Sequence, residues 1–481
     1  MKILTIISDE HSYQAMHFSG SKYAYTPNFD SLAQKSVVFD NAYTPCPVCA
    51  PARAAWFTGQ YVNRLGTWDN STPFDGTVSC ISSWLDSHGF SVNYFGKTHF
   101  HYQGEYSFDE SDMLGFLQSP DLGCYYRDSG KGRIGAEKRF EKIGIKEEES
   151  FDDKVVKRVL SWIEDNKDRT DDWVLNVGLL KPHFPFYVKK ENWDYFDKLI
   201  TSLPEGVLPP YTSLNEPLRF LRKYFKSELT TEEIIRKVFI GYYASIKELD
   251  DQIGQILNKL VECGLQDDVL VIYTSDHGEQ LGYHGLWWKC TMFEQSAHIP
   301  LLISHSSFSH KIVHAPVSLV DLFPTICDLL HVPTYECVDG VSLVPLLEKG
   351  VDLERPDFAF SEYHAHGMPD GMFMIRWDDY KYVFFTGHEP QLFNLKSDPS
   401  EDHDLVAEKG HVTEVDSILS EGYARLLSVC NPLNVSDRAK DFQARIKKKL
   451  GLDDEYSQER SWGFVPNPEY CKRGEIWKKE N

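Results

Sequence analysis

The chain opens on an apolar run, Ile3-Leu4-Thr5-Ile6-Ile7, that shows no alternation with polar residues and ends in Ser8-Asp9. A short continuous run of β-branched and aliphatic residues reads as a strand covered on both faces, as in a parallel sheet. Comparable runs recur at 37–43, 91–95, Trp173–Gly178 and Val269–Tyr273. Between them the apolar positions take helical spacing, near 29–35, from Ala52 to Thr58, near 79–88 and over about 151–165. The longest helical pattern runs from Thr231 to Cys263, with Ile235, Val238, Tyr242, Ile246, Leu249 and Ile253 on one face and Gly241 as a place where it can break. Strands alternating with helices in this way predict an α/β fold with a large mixed, mostly parallel sheet flanked by helices.

Past about residue 350 the pattern changes. Short extended pieces at 357–361, 371–376, 380–385 and 391–394 are separated by turn residues, and a helical pattern follows near 411–428. This predicts a small antiparallel sheet with its own helix. The resulting organisation is a large α/β domain over 1–350, expected to hold any catalytic site, a smaller α+β subdomain over 351–430, and a charged tail over 431–481 that suits an oligomerisation arm.

Composition narrows the function classes. The 481 residues suffice for one large domain with a smaller companion, and 42% hydrophobic with 25% charged residues is ordinary for a globular enzyme. A formal charge of −22 argues against a nucleic-acid binder. It also means that an anionic substrate needs a local basic pocket working against the global field. No basic, long apolar and small-residue sequence of a secretory leader precedes the first strand, and no apolar run is long enough to span a membrane, so the expected location is cytoplasmic. The ten cysteines are dispersed, which suits reduced, buried thiols.

The candidate chemistry sits at strand ends, where open α/β sheets bind ligands. Asp9 follows the first strand, Asp276-His277 follow 269–273, and Cys49 lies between the run at 37–43 and the next helix. Alone, Asp9 reads equally well as a turn former. Together, two acids, an imidazole and a strand-end nucleophile suit a divalent-metal site. Cys49-Ala50-Pro51-Ala52-Arg53 places the thiol at the positive end of a helix dipole, with Pro51 in the first turn and Arg53 directing its donors back to the same place. Basic residues occupy the same edge: Lys97 and His99 in Gly96-Lys97-Thr98-His99, His183 in Lys181-Pro182-His183, and Lys289 in His284-Gly285-Leu286-Trp287-Trp288-Lys289. Such a pocket suits a sulfate or phosphate group.

These ordered motifs, with Ser275-Asp276-His277-Gly278-Glu279 and the stretch from Gln391-Leu392-Phe393-Asn394 to Asp398-Pro399, resemble the type I sulfatases of the alkaline-phosphatase superfamily from residue 1 to about 410. The resemblance implies an alkaline-phosphatase-like fold and hydrolysis of a sulfate ester to an alcohol and sulfate. It implies that a formylglycine-generating enzyme converts Cys49 to formylglycine, whose hydrated form attacks sulfur. It further implies that Asp9, Cys49, Asp276 and His277 hold a divalent metal and that Arg53 fixes the diol. Lys97 and Lys289 then bind sulfate oxygens, His183 protonates the leaving alcohol and His99 assists release of the sulfate. Calcium is the first expectation for the metal, with manganese or magnesium as alternatives, and the imidazole of His277 lends weight to manganese.

Three departures refine the resemblance. The acid after the first strand reads as a lone Asp9 in Ser8-Asp9, His277 stands where many members have asparagine, and Ala52 stands where serine is common. These features are similar to the choline-sulfatase and phosphonate monoester hydrolase branch, in which Trp68-Asp69-Asn70 would place Asn70 against the substrate. His364, in Glu362-Tyr363-His364-Ala365-His366, is a second candidate for leaving-group selection, while His298 reads as a core residue. The expected substrate is a small-molecule sulfate ester, with homo-oligomerisation and neither nucleic acid nor membrane as partners. Three rival readings remain: a phosphonate or phosphodiester monoesterase using the same residue 49, a thiol-redox protein built on Cys46-Pro47-Val48-Cys49, and a catalytically inactive sulfatase-like binding protein in which Cys49 stays unmodified.

Overall fold

The computed structural model describes residues 1–101, 136–209, 211, 214–410 and 412–450. The expected tail after residue 450 lies outside the described residues.

Seven strands form the main sheet in the order Lys311–Val313, Ser36–Phe39, Leu301–Ser304, Val269–Ser275, Lys2–Asp9, Trp173–Pro182 and Ser91–Gly96. Leu301–Ser304 runs antiparallel to both of its neighbours, and every other pair is parallel. The carboxyl ends of the parallel strands therefore share one edge. The alternation of the first strand explains the layers. Leu4 and Ile6 pack on one face with Val155, Val159, Leu249 and Ile253 of the helices Phe151–Asn166 and Glu232–Glu262. Ile3 and Ile7 pack on the other with Trp56 and Phe57 of the helix Cys49–Thr58 and with Phe323 and Ile326 of Leu322–Leu329.

Two elements differ from the pattern-based expectation. The run at 37–43 is split: Ser36–Phe39 stays in the main sheet, and Ala42–Tyr43 pairs with Val317–Ser318 in a separate ribbon. The turn at Asp40-Asn41 makes this exchange, and an unbroken apolar stretch conceals it. The helix Glu232–Glu262 passes through Gly241 without a break. A Cβ at Gly241 would lie 2.8 Å from Phe186 Cβ and 3.1 Å from Ile143 Cγ2, so the missing side chain allows close approach of the strand Phe186–Val188.

The strands Phe358–Tyr363, Met372–Trp377, Tyr380–Phe385 and Gln391–Asn394 form a four-stranded antiparallel sheet carrying the helix Thr413–Val429. Lys381 of this sheet is completely buried, 2.6 Å from Glu294 Oε1 and 2.8 Å from Glu401 Oε1, and donates to the Met292 carbonyl. A buried ammonium persists only where its charge and its donors are met, so this contact fixes the sheet against the segment after Lys289. A last helix, Pro432–Leu450, returns to the main body. Among the described residues no helix is long and apolar enough to cross a membrane.

Gly241→Val is expected to destabilise the protein by about 1–3 kcal/mol through overpacking against Phe186. Chemical denaturation checks this, and an unchanged midpoint would show that the strand can retreat without loss.

Candidate active site

The site grows from the helix Cys49–Thr58, which begins at the cysteine itself, three residues earlier than the apolar spacing suggests. Val48 is extended and supplies no side-chain cap, and the Ala50 N–H is instead met by Asn70 Oδ1 at 3.0 Å. One turn along, Arg53 is completely buried. Its Nε donates to Asp276 Oδ2 at 2.7 Å, its two terminal nitrogens reach the carbonyls of Lys97 (2.8 Å) and Ser8 (3.3 Å), and Asp9 Oδ2 lies at 3.4 Å. One guanidinium thus joins the helix Cys49–Thr58 to the ends of three strands.

Asp9, Cys49, Asp276 and His277 are all buried, and their ligand atoms lie within 4.8 Å of one another. Cys49 Sγ is 3.1 Å from His277 Nε2 and 3.8 Å from Asp9 Oδ1. The His277 Nδ1–H donates to the Gly278 carbonyl at 3.0 Å, which leaves Nε2 directed at the cluster. Burial lowers the His277 pKa, but the negative charges of Asp276 and Cys49 prevail and raise it to about 9. Such a set of anions around an imidazole fits a divalent cation, which would take the place of that proton.

A cationic ring faces this cluster. Lys97 ion-pairs with Asp9, and Lys289 Nζ lies 2.6 Å from His183 Nε2. Burial pushes the Asp9 carboxyl up, as does the Cys49 charge, yet Lys97, His183 and Arg53 hold it well below the usual range. Burial likewise pushes the Cys49 thiol up, and Lys289, Lys97 and His277 bring it well below its ordinary value. His99 is buried with a left-handed backbone (φ 61°) and a lowered pKa, burial outweighing the influence of Cys49. Lys289 sits between two non-glycine residues of positive φ, Trp288 (68°) and Cys290 (79°), so local backbone strain accompanies its placement.

Nine of the residues singled out from sequence therefore meet at one place: Asp9, Cys49, Arg53, Lys97, His99, His183, Asp276, His277 and Lys289. Asn70 joins them through the Ala50 amide. His364 is completely buried, with Nε2 2.9 Å from Glu362 Oε2, and packs edge-on against Trp68 and Phe373. His298 is stacked between Tyr13 and Tyr43, in keeping with a core residue. Burial, then the charges of Glu362 and Cys290, push the Cys46 thiol far up, which counts against a Cys46–Cys49 redox pair.

Glu10 escapes the sequence reading, and Glu279 enters it only as the last residue of a motif. Glu10 is completely buried, 3.3 Å from His183 Nε2 and 3.4 Å from Lys289 Nζ. With Asp9 and His183 it forms a second close group of ligand atoms. The acids here are thus the adjacent Asp9 and Glu10, and the pairing of Ser8 with Asp9 was read one position early. A positive φ of 70° at Glu10 turns its side chain into the site, a direction that residue type alone does not convey. Glu279 accepts from the Leu281 and Trp288 amides at 2.8 and 2.7 Å, supporting the loop that carries Lys289. Burial and the neighbouring Glu10 push its carboxyl well up.

The sulfatase family profile matches residues 2–332, about two thirds of the chain. The chain belongs to the sulfatase family. Its activity class is that of a sulfuric ester hydrolase. A second profile, the N-sulphoglucosamine sulphohydrolase C-terminal region, matches residues 282–427. Choline-sulfatase of Rhizobium meliloti (strain 1021) is 29% identical over 417 residues, covering 83% of this chain and 81% of the relative. Arylsulfatase K of Bos taurus is 28% identical over 486 residues, covering 95% and 86%. Among solved structures, the phosphonate monoester hydrolase of Agrobacterium radiobacter superposes with a TM-score of 0.70 at 23% identity, covering 89% of this chain and 95% of that one. At that identity the likeness speaks for the fold.

Chelation with EDTA is expected to lower the thermal midpoint of the wild type, and added divalent ion to restore it, since an ion at a hundredfold its Kd stabilises by about 2.7 kcal/mol. Asp276→Ala should melt at the same temperature with and without chelator. A wild type indifferent to EDTA would show that the cluster holds no ion.

Proposed function

We propose that this sulfatase hydrolyses small-molecule sulfate esters, with Cys49 converted to formylglycine. The supporting observation is the position of Cys49 Sγ, at a helix N-terminus, 3.1 Å from His277 Nε2 and enclosed by Lys97, His99, His183 and Lys289. The thiol occupies the position that the oxygens of the hydrated aldehyde would take. A formylglycine-generating enzyme is then the maturation partner.

Asp9, Asp276, His277 and residue 49 would hold the divalent cation, calcium or manganese, which supplies positive charge to polarise a sulfate oxygen and acidify a neighbouring hydroxyl. Once hydrated, formylglycine offers one hydroxyl to attack sulfur and a second whose deprotonation releases sulfate. The remaining work belongs to the chain. Arg53 keeps Asp9 and Asp276 apart and oriented while neutralising part of their charge. Lys97 and Lys289 bind the charged non-bridging sulfate oxygens and hold the sulfur in line for attack. His183, with its Nε2 within reach of Lys289 and Glu10, gives the leaving oxygen its proton. His99, kept neutral by burial, accepts the proton of the remaining hydroxyl. Asn70 caps the nucleophile helix and presents its amide to the ester, while His364 and Glu362 back the Trp68 side of the site. The overall balance is cleavage of the S–O bond by one water, giving the alcohol, sulfate and a proton. The described cysteines are free thiols, which suits a reducing cytoplasm. Homo-oligomerisation is part of the same proposal.

Mass spectrometry of the peptide containing residue 49, from protein co-produced with a formylglycine-generating enzyme, is expected to show an aldehyde, and Cys49→Ala to remove turnover without unfolding the chain. Hydrolysis retained in Cys49→Ala would sink the mechanism. Faster turnover of phosphonate monoesters than of sulfate esters would transfer the assignment to that substrate class.

His183→Ala is expected to slow esters of poorly acidic alcohols by about 10²–10⁴-fold and activated aryl esters far less. Equal losses on both would remove His183 from the role of acid.

A further inference from the structure

The helix Pro432–Leu450 lies beyond both matched family regions, which end at residues 332 and 427, yet it reaches the loop beside the nucleophile helix. Gln443 on this helix is 2% exposed. Its Nε2 donates to Asp69 Oδ2 at 2.6 Å and to the His364 carbonyl at 3.0 Å. Asp69 uses its other oxygen to accept from the Ser71 amide at 2.8 Å, closing the turn that contains Asn70. Asn70 Oδ1 then accepts the Ala50 N–H at 3.0 Å, one residue past Cys49. Arg438, 1.4 turns earlier, donates to the Asn63 carbonyl at 3.1 Å and lies over the Trp68 ring at 5.6 Å, so the helix grips both flanks of the same loop.

We propose that Gln443 is a positioning residue of the active site. By clamping Asp69 to the His364 backbone it sets the 69–70 turn, and through that turn the orientation of Asn70 at the head of the nucleophile helix. The proposal rests on the reading of Asn70 as a substrate contact. A charge-assisted bond from a neutral amide to a buried carboxylate is directional and hard to replace once water is excluded. A helix beyond both matched regions thereby sets the geometry of a residue within them.

Gln443→Met keeps the side-chain volume and removes both bonds. Two measurements test it. Hydrogen exchange at the Ala50 amide, read without substrate, is expected to quicken in Gln443→Met because the Asn70 cap is loosened. An unchanged exchange rate would overturn the proposal whether or not the enzyme turns over. For kinetics, kcat/KM on a small sulfate ester should fall about tenfold in the wild-type background and change by less than about twofold in an Asn70→Ala background. Equal losses in both backgrounds, or no loss in either, would leave Gln443 as a merely structural contact. Gln443→Glu, which sets a carboxylate against Asp69, should give the same pattern with a deeper loss. If aldehyde-bearing wild type hydrolyses no ester while exchange at Ala50 responds to Gln443→Met, the substrate reading fails and the positioning survives.

Discussion

The buried guanidinium of Arg53 is the interaction on which the rest of the site depends. It is shut away from water, and such a charge is tolerable only where every donor has an acceptor and the net charge is met. Asp276 and Asp9 supply the charge, the carbonyls of Lys97 and Ser8 accept further donors, and Tyr94 bonds the same side chain. The first four of these partners stand at the ends of three strands of the central sheet, Val269–Ser275 beside Lys2–Asp9 and Ser91–Gly96 beyond the intervening Trp173–Pro182. Arg53 therefore cannot find its partners unless the sheet has its observed order, and the two acids would repel each other across the site without it. Fold and chemistry are joined at a single side chain.

A protein carrying a formal charge of −22 still gathers Arg53, Lys97, His183 and Lys289 around its buried acids. The sheet explains how. Parallel strands bring Lys97 and His183 to the same edge as Asp9 and Asp276, and the loop buttressed by Glu279 delivers Lys289 from beyond. Each cation there is paired with an anion of the same site, as Lys97 is with Asp9 and Lys289 with Glu10. An incoming sulfate would compete for these lysines at short range, where low dielectric makes each contact strong. The acidic exterior contributes nothing to that competition and is screened over about 8–10 Å in physiological salt.

The C-terminal part acts as a brace. Lys381 ties the antiparallel sheet to the segment following Lys289, and the helix Pro432–Leu450 reaches over to the loop that contains Asp69 and Asn70. Both contacts bury polar groups whose partners lie far away in sequence. The segment after Lys289 and the turn before Asn70 are thus each in contact with elements outside the main sheet.

Local pattern determined much of this protein. Continuous apolar runs announced the parallel strands, helical spacing announced the helices that cover them, and strand-end motifs picked out Asp9, Cys49, Arg53, Lys97, His99, His183, Asp276, His277 and Lys289. These were legible because strand ends converge in any open α/β sheet, so position along the chain already implies neighbourhood. Where backbone direction or distant packing decides, the chain is silent. Glu10 enters the site only because its φ is positive, Gly241 is a contact with Phe186 instead of a break, and the run at 37–43 divides between two sheets at Asp40-Asn41. Gln443 reaches Asp69 across more than 370 residues, a pairing created when two surfaces exclude water together. Periodicity and motif record what a residue prefers locally, while the partner of a buried polar group is chosen by the tertiary structure, because only there does leaving it unpaired become costly.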